Sequence, residues 1–478
     1  MKARILAEEN RKWWTLGALA FALFMIMLDN TVVNVALPSI QRDLGIGLSE
    51  LEWTVNAYAL TFAVLMLTGG KLADFFGRRR VFLIGLVIFT LASLACGLAT
   101  SGGTLIGART LQGVGAAIML PATLSIISAT FPPHQRGMAI GIWAGVSAMA
   151  LAIGPLIGGL ITEHIDWSWI FIVNVPIGVL GFAVSALVIR ESRDTSAEQR
   201  LDFPGLIASA VALFALTFAL IEANGYGWGD PVILGLFALS AVAFAAFVWL
   251  EAHQRSPMLD LSLFRSSTFA GANVVALLVT LAMFGVFFFM SIYMQNVLGY
   301  SATKTGATFL PMTILIILIA PAAGKFSDRI GSRWLMTAGM TCLTVALIVF
   351  SRLGLDSGFW DIFPGLILGG MGIGLVMTPM TAAALGSVPV AKSGVGSGVL
   401  NTFRQVGGAL GIAVMGAIVA SYIDLDAAGR PDPAAFIDGF QRALEVSAAF
   451  ALLGVGIAAG TIRKHRHLDT GDLAEAAA

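Results

Sequence analysis

The sequence predicts an all-α polytopic membrane protein of fourteen transmembrane helices, and three observations carry that reading. Of 478 residues, 57% are hydrophobic and only 12% charged, about half the charge of an ordinary soluble domain. The apolar residues fall in long charge-poor runs, and the basic residues concentrate in every second break between them. A soluble chain of this size could not cover so much apolar surface. That excludes a cytosolic enzyme, a nucleic-acid binder and a disordered chain. The net charge is zero, so no bulk electrostatic partner is implied. Cys96 and Cys342 are the only cysteines, each inside an apolar run, which excludes a disulfide framework and a cysteine metal site.

A helix needs about 20 apolar residues to cross a hydrocarbon core of roughly 30 Å. The first run covers 13–38 and contains a single acid, Asp29; the second covers 54–70. Residues 81–108 hold the third and open the fourth, divided by Thr100, Ser101, Gly102 and Gly103, and the fourth continues to about Ser128. Then follow 137–162, 167–189, 203–221 and 231–250, and after them 269–297, 305–324, 334–351, 362–385, 394–422 and 446–462. Lys2, Arg4, Arg11 and Lys12 before Trp13 have the look of a signal peptide. The run behind them is too long for one, and Asp29-Asn30-Thr31 is no small-residue cleavage site, so it reads as a permanent helix. Residues 423–440 read as a small solvated loop.

An even count puts both termini on one side. With the N-terminus inside, 21 of the 28 Lys and Arg residues fall in inner segments and five (Arg42, Lys304, Arg352, Arg430 and Arg442) in outer ones; Arg109 and Arg404 lie within helices. This is the asymmetry of the positive-inside rule. The expectation is a multi-pass protein of the cell membrane with both termini cytoplasmic.

The chain also repeats itself. Gly70-Lys71-Leu72-Ala73-Asp74-Phe75-Phe76-Gly77-Arg78-Arg79 recurs 254 residues later as Gly324-Lys325-Phe326-Ser327-Asp328-Arg329-Ile330-Gly331-Ser332-Arg333. Gly137, Gly141, Gly154 and Gly159 recur 257 residues later as Gly394, Gly398, Gly411 and Gly416. Eight runs separate the copies, whereas parallel-repeat transporters commonly have six per half. The simplest organisation is a six-helix bundle over 1–190, a linker with two extra transmembrane helices over 191–268, a second six-helix bundle over 269–463, and a cytoplasmic tail over 464–478.

These motifs resemble the major facilitator superfamily, specifically its 14-helix drug:proton antiporter branch, over nearly the whole chain. The segment from Gly70 to Arg80 is similar to the loop motif between its helices two and three, with Phe75 in place of a frequent basic residue. Leu105, Arg109, Gln112, Gly113, Gly115, Ala116 and Ala117 resemble its fourth-helix motif. Gly154, Pro155, Gly158 and Gly159 resemble the fifth-helix antiporter motif, from which Ala150 departs. The stretch from Leu28 through Asp29 to Pro38 resembles the first-helix signature of that branch. The resemblance implies a proton-coupled efflux antiporter for lipophilic, multidrug-like small molecules, working by alternating access. A lipid or lipid-conjugate exporter of the same fold is the alternative, and a channel or transport-dead receptor a more distant one.

Asp29 is the strongest single site, because an acid within a span usually faces a cavity and carries function. It lies about 24 Å along its helix from Trp13, in the outer half, as does Arg109. Helices one and four pack together in the superfamily, which implies one shared polar site. The pair reads either as a proton-coupling site or as a static buried ion pair. Glu222, at the outer end of the first inserted helix, is either a third proton site or a solvated helix end. Gly70, Asp74, Gly77, Arg78 and Arg79, with Asp328 and Arg329 in the second copy, read as a conformational latch or as topogenic basic loops. Gly154, Pro155, Gly158 and Gly159 read as a hinge that breaks and thins helix five, or as packing. Met25, Asn34, Phe284, Phe288, Asn401 and Arg404 form the expected substrate-binding set. Phe284 and Phe288 share one face, although lipid-facing filler is the plainer reading for helix-nine aromatics, and Arg404 could equally anchor a neighbouring helix. No acid beyond Asp29 lies deep in a span while two arginines do, so a dicationic substrate is not what the sequence favours. No GxxxxGK[ST] sequence is present, so ATP-driven transport is unsupported. The expected partners are protons, lipophilic substrates and the bilayer, for a monomer that is no enzyme and uses no nucleic acid, cofactor or metal.

Overall fold

The computed structural model describes residues 8–193, 202–254, 257–388, 393–422 and 432–463. The described chain is helical: α1 (Glu8–Leu44), α2 (Leu48–Phe76), α3 (Arg78–Gly97), α4 (Gly102–Thr130), α5 (Pro133–His164), α6 (Trp169–Ile172), α7 (Asn174–Val188), α8 (Phe203–Tyr226), α9 (Pro231–His253), α10 (Ser267–Ile292), α11 (Ala302–Thr308), α12 (Leu310–Ile330), α13 (Ser332–Phe350), α14 (Phe359–Gly386), α15 (Ser393–Tyr422) and α16 (Pro433–Thr461). Thirteen spans among the described residues are long and apolar enough to cross a membrane. The predicted run 137–162 falls in α5, whose described apolar stretch is the shorter Met138–Ser147, so the structure gives one span fewer than the fourteen expected. The histidines and acids of the 464–478 tail lie outside the described residues.

Two of the predicted runs are divided. The sixth becomes α6 and α7, and the tenth becomes α11 and α12. Pro176 stands near the start of α7 and Pro311 near the start of α12; a proline lacks the N–H that would carry the previous helix onward. Helix starts elsewhere are set by side-chain caps. Asp202, Asp230, Ser266, Ser301 and Asp432 each accept a backbone N–H of the following turn, satisfying one of the donors that a helix leaves open. Pro155, expected to break helix five, does not: α5 runs continuously through it. In a membrane, neighbouring helices tolerate such a proline by packing around it.

Helices α1–α7 pack on one another, with α1 along α5 and α4 against α2 and α3; α10–α16 form a second group, with α14 against α12 and α13 and α16 against α13 and α15. α8, paired with α9, lies beside α2 and α15 and so touches both groups. The larger seams joining the groups are α2 on α15 and α5 on α11 and α12, with α1 also touching α10. The ends of the helices divide into one carrying Lys71, Arg78, Arg79, Arg80 and Arg136, called here the basic end, and an opposite end.

The opposite end is closed by backbone contact. A Cβ on Gly159 would strike the Ala302 carbonyl, and one on Gly306 the Pro155 carbonyl, so α5 and α11 approach as only glycine allows. Thr303 N donates to Glu163 Oε2 at 2.7 Å and Gln295 Nε2 to the Val35 carbonyl at 2.8 Å. At the basic end a cavity of about 530 Å³ lies against α1 and α5, lined by residues that include Trp13, Phe21, Phe24, Ile142, Val146 and Met149.

The repeated loop has one geometry in both copies. Gly77 joins α2 to α3 at φ 108°, ψ 126°, and Gly331 joins α12 to α13 at φ 86°, ψ 149°. Only glycine takes this backbone freely. Gly77 also faces the Glu191 carboxylate, which a Cβ would meet at 2.7 Å. Gly77→Ala is therefore expected to destabilise the first half by about 1–3 kcal/mol, read as faster thermal loss of the monodisperse peak in detergent; a wild-type profile would contradict this account of the loop.

Candidate functional site

A buried ion pair lies between α1, α2 and α4. Asp29 and Arg109 are at most 1% exposed and are paired, Arg109 Nη1 donating to Asp29 Oδ2 at 2.5 Å. Gln112, one turn after Arg109, donates through Nε2 to Asp29 Oδ1 at 2.9 Å and accepts from Arg109 Nη1 at 2.7 Å. Arg109 Nε donates to the Thr54 carbonyl of α2 at 3.1 Å, and the guanidinium lies 4.3 Å from the Tyr58 ring centroid. The network runs on through Ser93 on α3, which receives donors from Gln112 and from Asn174 of α7 and itself donates to the Phe171 carbonyl at 2.9 Å. Both carboxylate oxygens thus accept a donor and the arginine has its counter-charge. This is what lets an ion pair survive out of water.

The sequence placed Asp29 and Arg109 in one site, and the structure joins them. Gln112 was visible only as a motif letter. Tyr58, Ser93 and Asn174 carried no signal, because single polar residues on separate apolar helices acquire a shared address only when the helices pack.

Asp29 is also tied to the closed end through its own helix. Two and three residues on, Thr31 packs on Gly154 and Val32 on Gly158, and Val35 takes the hydrogen bond from Gln295, in the π-helical turn that follows α10. The glycines of α5 therefore form the bearing surface on which α1 rests.

The first loop motif folds on its own half. Arg78 Nε and Nη2 both reach Asp74 Oδ1 at 2.8 Å. Arg78 N donates to the Ser192 carbonyl, Arg79 N to Glu191 Oε1 at 3.0 Å, and Arg79 Nη2 to the Ala186 carbonyl at 2.6 Å. Glu191, just after α7, is a partner that the sequence reading missed. A Cβ on Gly70 would meet the Pro121 ring of α4 at 3.5 Å, an ordinary contact. Arg329 of the second copy is exposed, and the Asp328 side chain lies outside the described residues. Glu222 is no free helix end: its Oε1 accepts from Ser49 Oγ at 2.6 Å and from Trp53 Nε1 at 3.0 Å, both on α2.

The expected substrate set is not one cluster. Met25 is fully buried among Leu23, Ile26, Tyr58 and Phe62, and Phe288 is fully buried against Phe289. Asn34 is buried and donates to the Asn30 carbonyl at 3.1 Å. Three members do gather. Arg404 Nη2 donates to Thr381 Oγ1 at 2.8 Å and Nη1 to Asn401 Oδ1 at 3.5 Å, and one turn along α15 the half-buried Phe284 ring lies over Gly408. No carboxylate pairs with Arg404 among the described residues. The cavity lining on α1 and α5 was missed, although Trp13, Gly17, Phe21 and Phe24 recur at helical spacing. No group of three or more metal-ligating side chains occurs among the described residues.

Two packed helix groups, a duplicated glycine-turned loop and a buried ion pair define a polytopic transporter-type architecture. The description of the Major Facilitator Superfamily matches residues 19–412, and the chain belongs to that family. It is 37% identical over 415 residues to the tetracenomycin C resistance and export protein of Streptomyces glaucescens, covering 87% of this chain and 77% of that one. To the puromycin resistance protein of Streptomyces alboniger it is 37% identical over 453 residues, with 93% and 89% covered. The multidrug resistance protein Stp of Mycobacterium tuberculosis is 38% identical over 412 residues, with 86% and 76% covered. Among solved structures, a bacterial homologue of the human lysosomal transporter Spinster superposes with TM-score 0.67 at 17% identity over 95% of this chain and 98% of that one.

Removing Arg109 leaves the Asp29 charge buried and unpaired. Arg109→Ala is expected to cost about 3–5 kcal/mol and Gln112→Ala about 1–3 kcal/mol, ranked by thermal inactivation of the purified protein. Equal effects of the two would show that the ion pair is not what holds this site.

Proposed function

We propose that the protein is a proton-coupled antiporter that exports lipophilic small molecules by alternating access. It spans the cell membrane fourteen times, with α5 as the fifth span and both termini in the cytoplasm. The single observation carrying the reading is the sealed Asp29–Arg109–Gln112 network, set on the helix that bears on the closed end. The relatives' names, all of resistance or export proteins, support the cargo class, and the bias of Lys and Arg supports the orientation. On this reading the basic end is cytoplasmic, and the cavity against α1 and α5 opens inward.

Proton binding and rupture of the pair are one event. A proton on Asp29 cancels the charge that Arg109 faces, and one carboxyl oxygen stops accepting. Arg109 keeps Gln112 Oε1, the Thr54 carbonyl and the Tyr58 ring. In an exchange of protons for cargo, Asp29 takes this proton from the outer water while the mouth is open and cargo leaves, and the protonated carrier closes outward. Loss of the proton to the cytoplasm restores the pair, and the site waits for cargo from within behind the closed outer end.

Arg404 sets the polarity of that cargo. A cation in the second half, with only Thr381 and Asn401 as partners among the described residues, suits neutral, acceptor-rich or anionic aromatic molecules better than dications.

Asp29→Asn is expected to abolish uphill efflux driven by a proton gradient while leaving gradient-independent counterflow of the same dye, measured in everted vesicles. Gradient-driven efflux at the wild-type rate would sink the coupling role. In a dye panel of graded charge, Arg404→Ala should lose anionic and acceptor-rich dyes by about tenfold or more, as the loss of one charged hydrogen bond of about 1.5–3 kcal/mol requires, with smaller losses for purely apolar dyes. A uniform loss across the panel would remove Arg404 from substrate contact.

A further inference from the structure

A second acid lies buried at the outer end, where neither the ion pair nor the loop motifs involve it. Glu52, in the second turn of α2, is 2% exposed. It sits on the seam between the halves: its carboxylate packs over Gly416 of α15, where any Cβ would strike it. Its Oε2 has no hydrogen-bond partner, and no ion pair involves Glu52 among the described residues.

The charged groups around it give no relief. From α8 the facing group is Glu222, of like sign and already held by Ser49 and Trp53. α15 offers only backbone; its one cation, Arg404, is twelve residues away, about 18 Å along the helix. On α2 itself Glu50 turns to the exposed Gly47 N–H at 3.3 Å. Arg109 of α4, whose Nε reaches the Thr54 carbonyl, is committed to Asp29. An ionised carboxylate without a partner out of water costs several kcal/mol, so the seam closes over a neutral carboxylic acid. When α2 and α15 part at this end, the same group meets water and ionises as an exposed carboxyl does at neutral pH.

We infer that Glu52 is a proton-binding site of the outer gate, taking one proton from the outer water each time the α2–α15 seam closes and returning it to the same side when the seam opens. That proton is not carried across the membrane; it makes closure of the outer mouth respond to external pH. The inference rests on the alternating-access reading above. It adds to that reading a gating proton distinct from the one assigned to Asp29.

The test uses the full-length protein in lipid nanodiscs, with nitroxide labels at Asp43→Cys on α1 and Arg352→Cys beyond α13, both exposed at the outer end, in a Cys342→Ser background. Distance distributions are recorded across a pH series. In the otherwise wild-type protein the ratio of closed to open outer mouth should fall as pH rises, with Glu52 contributing up to about tenfold per pH unit, as linkage to one proton requires. Glu52→Gln, a neutral isostere, should remain closed and lose that contribution, while Glu52→Asp should keep a pH-dependent mouth. Infrared spectra of the wild-type protein held closed should show a protonated carboxylic acid carbonyl that Glu52→Gln lacks. A Glu52→Gln protein with an unchanged pH profile, or a wild-type mouth that moves with substrate but not with pH, would overturn the gating proton and leave alternating access standing. A single fixed distance under every condition would instead overturn alternating access.

Discussion

The constraint on which the rest of the molecule depends is that a carboxylate and a guanidinium lie inside an apolar bundle with no water to share. Out of water each is tolerable only with the other, and both only with their remaining hydrogen-bonding capacity filled. Gln112, the Thr54 carbonyl and the Tyr58 ring supply that complement from α4 and α2. Three helices are therefore fixed in register by one cluster, and Ser93 and Asn174 extend the tie to α3 and α7. An apolar core could hold the same helices together, but no change of one proton could loosen it. An arrangement that costs so much to bury is suited to being switched.

The glycines of α5 turn this local chemistry into a feature of the whole fold. α1 rests on Gly154 and Gly158, and the adjoining side of α5, at Pro155 and Gly159, meets α11 backbone to backbone. Close packing of this kind transmits small displacements, because no flexible side chains lie between the surfaces to absorb them. Asp29 and the closed end are thus separated by two turns of one stiff helix.

How far all this was legible in the sequence follows from range. Spans, the repeated loop and the Asp29–Arg109 pairing rest on local composition or on a motif, and thirteen of the fourteen spans and the pairing are found among the described residues. The division of the sixth and tenth runs was missed, although Pro176 and Pro311 stand at the breaks. Proline was instead expected to interrupt helix five, where packing overrides it. The substrate set was the least legible part. Met25 and Phe288 sit on apolar faces like those of the cavity lining, and periodicity cannot tell an inward face turned to a neighbour from one turned to a void. Glu52 was passed over because it stands near a helix start, where acids are ordinary; only the placement of α15 buries it. Glu191 belongs to the same class, a loop acid whose meaning appears when Gly77 and Arg79 are folded against it.

The pair α8 and α9 bears on how the two halves are joined at the closed end. α8 is bonded to the first half through Ser49 and Trp53, and to the second through Asn224 and the Ala417 carbonyl at 2.7 Å. It straps one seam, while the other is held by the glycine contacts of α5 and by the Thr303–Glu163 and Gln295–Val35 hydrogen bonds. On the proposed alternating-access reading, cargo would leave most freely beside α5 and α11, and α2 and α15 would part less, under the strap that α8 makes.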